Sequence, residues 1–252
     1  MNAHAFKPLL AALLLAGSCA AQAAHFEVTG YQVFGAYTDY AGFDHYATDL
    51  SQDGQVGIFG SASATDETFG YAVEGYLLNG KELGMTNSQF FTGASGTAHS
   101  GDALLALPGI TLKVVGDGEA AGTDVRVSFA GTASIINALA GTNGSVYMDL
   151  AVTRGGATLG SFLWDSSAET GPFGTSRNVG FSFLAKVGEE ISLGGTLGTT
   201  LTADGSQSGA LASTAGSLLG DFTVAAVPEP QQYALFLAGF ALVGLARRRS
   251  GH

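Results

Sequence analysis

Cysteine is all but missing from this chain of 252 residues; the only one, Cys19, lies in an N-terminal leader. The body behind it therefore holds no disulfide, no thiolate metal site and no cysteine nucleophile. Proline is scarce, at 5 residues, and so are basic side chains, at 10. Four of those ten, Lys7 and Arg247 to Arg249, belong to the two ends. Between Ala24 and Ala226 stand 20 Asp/Glu against 6 Lys/Arg, a formal charge of −14. So acidic a body repels phosphate backbones, which argues against nucleic acid as a partner. Charged residues make up only 12% of the chain against 46% hydrophobic ones, which excludes disorder of the highly charged kind. The body also lacks a useful helix-period stretch; Ile135 to Ala140 reads at most as one short helical turn.

What is present is alternation. Val146, Met148, Leu150 and Val152 occupy one parity of a run, with Tyr147, Asp149 and Thr153 on the other. Val125, Val127 and Phe129 repeat the pattern, as does the run Val179, Phe181, Phe183, Ala185 and Val187. In the next stretch Ile191, Leu193, Leu197 and Leu201 oppose Ser192, Thr196, Thr200 and Thr202. Period two means strands with one packed face and one wet face. The 38 glycines follow no G-X-Y period, which excludes collagen and points to tight turns. Asp53-Gly54, Asn79-Gly80, Asp117-Gly118, Asn143-Gly144 and Asp204-Gly205 are turn dipeptides that accept positive φ; Asn79-Gly80 is the clearest hairpin signal. The Gly/Ser/Ala/Thr-rich stretch Ala203 to Gly220 reads as a hairpin returning to the sheet, with Phe222-Thr223-Val224 as a last strand; a flexible stalk is the competing reading. Many short strands with Gly-rich turns predict an all-β, antiparallel β-sandwich or jelly-roll-like body over residues 24–226.

The two ends have the form of targeting segments. Residues 1–23 read as a signal peptide with a signal helix: Lys7, a short apolar run from Pro8 to Ala16, and Ala21-Gln22-Ala23 as the A-x-A site cut after Ala23. Competing readings are an uncleaved anchor and a lipoprotein signal, since Leu15 to Cys19 loosely resembles a lipobox with Ala16 in place of its usual Leu. At the other end, Pro228 and Pro230 lack N–H donors and fix φ, so Val227 to Pro230 is extended and accessible to a protease. Tyr233 to Ala246 follows without a charge; as a single hydrophobic helix it spans about 21 Å against about 30 Å of hydrocarbon core. Arg247, Arg248 and Arg249 then hold the tail on the cytoplasmic side.

Residues 227–252 closely resemble the PEP-CTERM sorting segment: the Pro228-Glu229-Pro230 tripeptide, an apolar helix with Gly239 and Gly244, and the Arg247–Arg249 cluster, in that order. The resemblance covers about a tenth of the chain. It implies handling by an exosortase, a membrane-embedded transpeptidase-like protease of Gram-negative bacteria, after a signal peptidase has acted at the other end. It also implies transient residence in the inner membrane, then release or transfer to the cell surface or extracellular matrix, often among biofilm exopolysaccharide.

The body shows little catalytic chemistry. There is no G-x-S-x-G elbow and no H-E-x-x-H. His45 reads as an exposed loop histidine, and Glu189-Glu190 as turn solvation. The twenty acidic side chains are too many to single out a glycosidase pair. Asp49, Ser51 and Asp53 followed by Gly54 match the first half of a calcium loop, but Gly60 stands where the bidentate Glu belongs; an Asp/Gly turn is the plainer reading. Tyr37, Tyr40 and Tyr46, with Asp39, Asp44 and Asp49 among them, form a candidate glycan-binding cluster, since rings stack on sugar C–H faces and carboxylates accept hydroxyl protons. Filling of strands and core is the plainer role for these rings, and core is the expected place for Trp164. The expectation is a non-enzymatic, exported surface protein with no cofactor. A calcium-assisted carbohydrate-binding module is the alternative, and a secreted glycosidase a more distant one.

Overall fold

The computed structural model describes residues 24–31, 34–39, 43–47, 50–53, 57–65, 69–92, 99–138, 142–166, 173–203 and 211–227; between 34 and 65 the backbone alone is considered. Strands β1 to β7 are Ala24–Gly30, Phe34–Asp39, Phe43–Ala47, Leu50–Asp53, Gly57–Thr65, Phe69–Leu78 and Glu82–Thr92. Strands β8 to β14 are His99–Gly116, Asp124–Ala138, Thr142–Arg154, Ala157–Asp165, Phe173–Lys186, Glu190–Ala203 and Leu211–Ala226. The first sheet has the order β11-β10-β13-β8-β2-β3, with β1 also paired to β8; the second runs β12-β9-β14-β7-β6-β5-β4. The pairings within both sheets are antiparallel. Their inner faces share one apolar core, the expected sandwich. Among the described residues there is no helix long and apolar enough to cross a membrane. The expected signal helix and C-terminal hydrophobic helix lie outside the described residues.

Burial explains the strands. Val146, Met148, Leu150 and Val152 of β10 are fully buried, as are Val125 and Val127 of β9 and Leu193, Leu197 and Leu201 of β13. Each large apolar side chain removed from water contributes about 1.5–3 kcal/mol, so a register slip that turned one of these rows outward would be strongly penalised. The β6–β7 hairpin turns on Asn79 and Gly80, with φ of 54° and 62°, the conformation that Asn-Gly favours. A Cβ added at Gly80 would lie 2.3 Å from the Phe26 carbonyl oxygen, so the turn is also wedged beneath β1.

The long strand β8 carries an internal proline. On one side the pairing with β13 shifts register around Pro108, from Leu107↔Gly195 to Ile110↔Leu193. On the other side β2 pairs with residues up to Ala106 and β1 with residues from Thr111. Pro108 sits at the gap between these two partners, where a missing N–H breaks no ladder.

Three local expectations are corrected by pairing. Asn143-Gly144 is not a turn but part of β10, opposite Thr202 and Leu201; ladder pairing with β13 overrides the dipeptide's preference. Ile135 to Ala138 is not helical but ends β9, with Ile135 buried and Ile136 outward. The chain beyond Ala203 does return to a sheet, with Phe222 to Val224 in its last strand as expected, but not beside β13. Its strand β14 crosses to the other sheet and lies between β9 and β7. Small residues suit that central place: a Cβ on Gly216 would be 2.6 Å from Val146 of the facing sheet.

The interior differs from end to end. Near the β8–β9 turn, Phe129 lies 5.3 Å from Phe181 and 4.8 Å from Phe222, and Phe222 meets Phe26 edge-on at 5.9 Å. Toward the other end the buried groups are polar. Asn87 of β7 donates to the Ala103 and Leu197 carbonyls at 2.8 and 2.7 Å and accepts from Thr199 at 3.0 Å, tying both sheets together. Asn137 donates to the Gly144 carbonyl and accepts from the Thr214 hydroxyl. Gln89, also buried, has among the described residues no hydrogen-bond partner for either polar atom of its amide.

Candidate functional site

The residues expected to be processed flank the described body. Ala24, buried and opposite Gly116 in β1, is the first described residue, and the expected cut after Ala23 lies directly before it. At the other end β14 reaches Ala226, and the Val227 N–H donates to the Asp124 carbonyl at 3.4 Å. Ala21, Ala23, Pro228, Glu229, Pro230 and Arg247 to Arg249 lie outside the described residues.

Of the calcium candidates, Ser51 and Asp53 belong to β4, whose extended backbone pairs Ser51 with Phe59 and Asp53 with Gly57. Asp49 lies outside the described residues. Among the described residues no group of three or more His, Cys, Asp or Glu is placed to hold a metal ion. Of the glycan candidates, Tyr40 lies outside the described residues. Tyr37 of β2 is opposite His45 of β3 and Ala103 of β8, of which Ala103 is buried; Tyr46 is opposite Ala36, which is opposite the exposed Leu104. Tyr37 and Tyr46 thus hold register positions of opposite parity rather than one common row. His45 belongs to strand β3, not to a loop.

Trp164 is buried in the core, as expected, with the Arg177 guanidinium 4.2 Å from its ring centroid. Glu190 is exposed at the start of β13, whereas Glu189 does more than solvate its turn. Arg154 Nη1 donates to both Glu189 carboxylate oxygens at 3.0 and 3.1 Å, and the Lys186 N–H donates to Oε2 at 2.9 Å. This joins the end of β10 to the β12–β13 turn.

The outer face of the first sheet carries an arrangement that single-strand reading did not expose. Tyr147 of β10 is opposite Asp165 on one side and Gly198 on the other. Its hydroxyl donates to Asp149 Oδ2 at 3.3 Å, two residues along the same strand. Asp149 is opposite Leu163 and Thr196. Desolvation of the ring raises the Tyr147 phenol above its ordinary value, with the Asp149 charge and hydrogen bond and the Asp165 charge adding to it. Tyr147 and Asp149 are legible in the sequence as wet-face residues. Their neighbours Gly198 and Thr196 are not, because strand pairing is non-local.

No family model and no curated protein matches the chain. Among solved structures it is similar to the arabinose-bound α-L-arabinofuranosidase MgGH51, at 15% identity over 65% of this chain and a TM-score of 0.24. It covers only 23% of that enzyme's length. It is also similar to TmCBM61 in complex with β-1,4-galactotriose, at 11% identity over 71% of this chain and 88% of that one, with a TM-score of 0.20. A third is the VP2 subviral particle of infectious bursal disease virus, at 10% identity, 91% and 75% coverage and a TM-score of 0.18. Likeness at this level says nothing about ligand or activity.

Proposed function

We propose that the chain is an exported, non-enzymatic surface or matrix protein of a Gram-negative bacterium, freed from a temporary inner-membrane anchor by an exosortase. The observation that carries this reading is the ordered tail: Pro228-Glu229-Pro230, the apolar run Tyr233 to Ala246, and Arg247 to Arg249. The strand boundaries support it. The described strands run from Ala24 in β1 to Ala226 in β14, and both proposed cuts lie outside them. Processing would then leave every strand and the core intact, and the released body would carry its acidic charge into a surface layer of exopolysaccharide.

Intact-mass measurement tests this in a host that carries an exosortase. The expected product begins at Ala24 and ends at or near Pro228 to Pro230. A Pro228→Ala, Pro230→Ala double variant is expected to retain the tail and to remain in the membrane fraction. A mature wild-type protein still carrying Arg247 to Arg249 would contradict the processing.

A further inference from the structure

We propose that the outer face of the first sheet around Tyr147 is a binding platform for an uncharged polysaccharide chain, with the Tyr147 ring as the stacking surface. The inference rests on the reading of an exopolysaccharide-associated surface protein and names the site and the ligand chemistry.

The ring's posture is the first ground. A tyrosine whose hydroxyl reaches a carboxylate two residues along its own strand has to lie along that strand rather than stand away from the sheet. Tyr147 is nevertheless 40% exposed, so the reclining ring keeps a surface open to solvent. The Asp149 bond fixes it there before any ligand arrives, which lowers the ordering cost of binding.

The floor beside the ring is the second ground. Its neighbour on β13 is Gly198, and the next position on β8 is Leu104. With no side chain at Gly198, β13 raises nothing between the ring and Leu104, which is 36% exposed. On the other side of β10, Leu163 is 64% exposed on the edge strand β11. Rows of four strands, β11 to β8, are about 14 Å across, the footprint of an oligosaccharide rather than of one sugar. A ring with apolar shoulders on a flat floor suits the C–H faces of pyranose rings.

Polar complementarity is the third ground. Thr196 flanks Asp149, and Ser145, Thr200, Ser100 and Thr202 form a hydroxyl grid along the same face, with Ser100 and Thr202 paired at 3.1 Å. Hydroxyls both donate and accept, as sugar hydroxyls require. On β10, β13 and β8, none of the outward positions between the rows of Thr202 and Asp149 is Lys or Arg, whereas Asp102 and Asp149 are among them. That charge balance disfavours acidic polymers, and the stacking ring and the hydroxyl grid suit an uncharged one.

Depletion isotherms of the full-length chain in detergent on insoluble cellulose, β-1,3-glucan and xylan test the platform, with calcium alginate as the acidic polymer and chitosan as the cationic one. At least one neutral polymer is expected to bind with little dependence on salt. Tyr147→Ala is expected to weaken that binding at least about tenfold. Tyr147→Phe should keep most of it, and Leu184→Ser, on the other sheet, should change nothing. Thr196→Arg, which covers the floor from β13, is a second variant expected to lose binding, should Tyr147→Ala fail to fold. No binding to any neutral polymer, wild-type binding by Tyr147→Ala, or binding to chitosan alone that disappears in salt would each overturn the platform. A protein that is correctly cut yet binds no polymer would lose the platform and keep the sorting; a protein that binds but keeps its tail would do the reverse.

Discussion

The two ends of the sandwich interior are held by different physics. Near the β8–β9 turn, Phe26, Phe129, Phe181 and Phe222 interlock by shape and burial. Toward the other end, Asn87 and Asn137 bridge strands with hydrogen bonds to carbonyls and threonine hydroxyls. The aromatic end gains stability from every ångström of apolar surface removed from water. The amide end gains little net from its bonds, but a misregistered pairing would strand buried donors and acceptors. The first end therefore supplies stability and the second supplies uniqueness.

The comparison can be broken most forcefully at Phe129, which touches two of the other three rings. Phe129→Ala is expected to lose about 3–5 kcal/mol in urea unfolding, from lost burial and the cavity left behind. At the amide end, Asn87→Leu removes three hydrogen bonds and strands the Thr199 hydroxyl. A loss of about 2–3 kcal/mol is expected. A neutral result there would show that the sheets do not need the bridge.

Gln89 differs from Asn87 within the same end, because its amide is buried without partners among the described residues. Gln89→Met keeps the length of the side chain and removes both orphan groups, so a gain of about 1 kcal/mol is expected. A loss comparable to that of Asn87→Leu would place Gln89 in the network instead.

The smallest effect concerns pH. Burial raises the Tyr71 phenol above its ordinary value of 10.0. The folded state then holds its proton where the unfolded chain has released it. Its contribution is complete below the ordinary value and is lost as pH rises through the folded one. Tyr71→Phe should make the alkaline decline of melting temperature shallower; an unchanged slope would remove Tyr71 from that decline.

Much of the body was legible one strand at a time. The rows Val146 to Val152, Val179 to Val187 and Ile191 to Leu201 lie on the core side as their alternation implies, and Asn79-Gly80 makes the hairpin. Trp164 is core for the reason any large ring is. The errors came where partners decided the outcome. Asn143-Gly144 is a good turn dipeptide, but β13 pairs along it. The run after Ala203 reads as a hairpin back beside its own strand, yet β14 lies in the middle of the other sheet, where its small residues let the facing sheet come close.

The same boundary runs through the candidate sites. Tyr37 and Tyr46 are close in sequence and cluster by composition, but antiparallel pairing of β2 and β3 gives them opposite parity. Tyr147 stands alone in sequence, and only the pairing of β10 with β13 sets it beside the bare Gly198 and in the row next to Thr196. Local order by itself determined which residues face inward and where one hairpin turns, because side-chain alternation and turn geometry act over a few residues. Tertiary structure alone decided which strands are neighbours, which sheet β14 joins and what lies beside the exposed tyrosine, because hydrogen-bonded pairing joins residues that the chain keeps far apart.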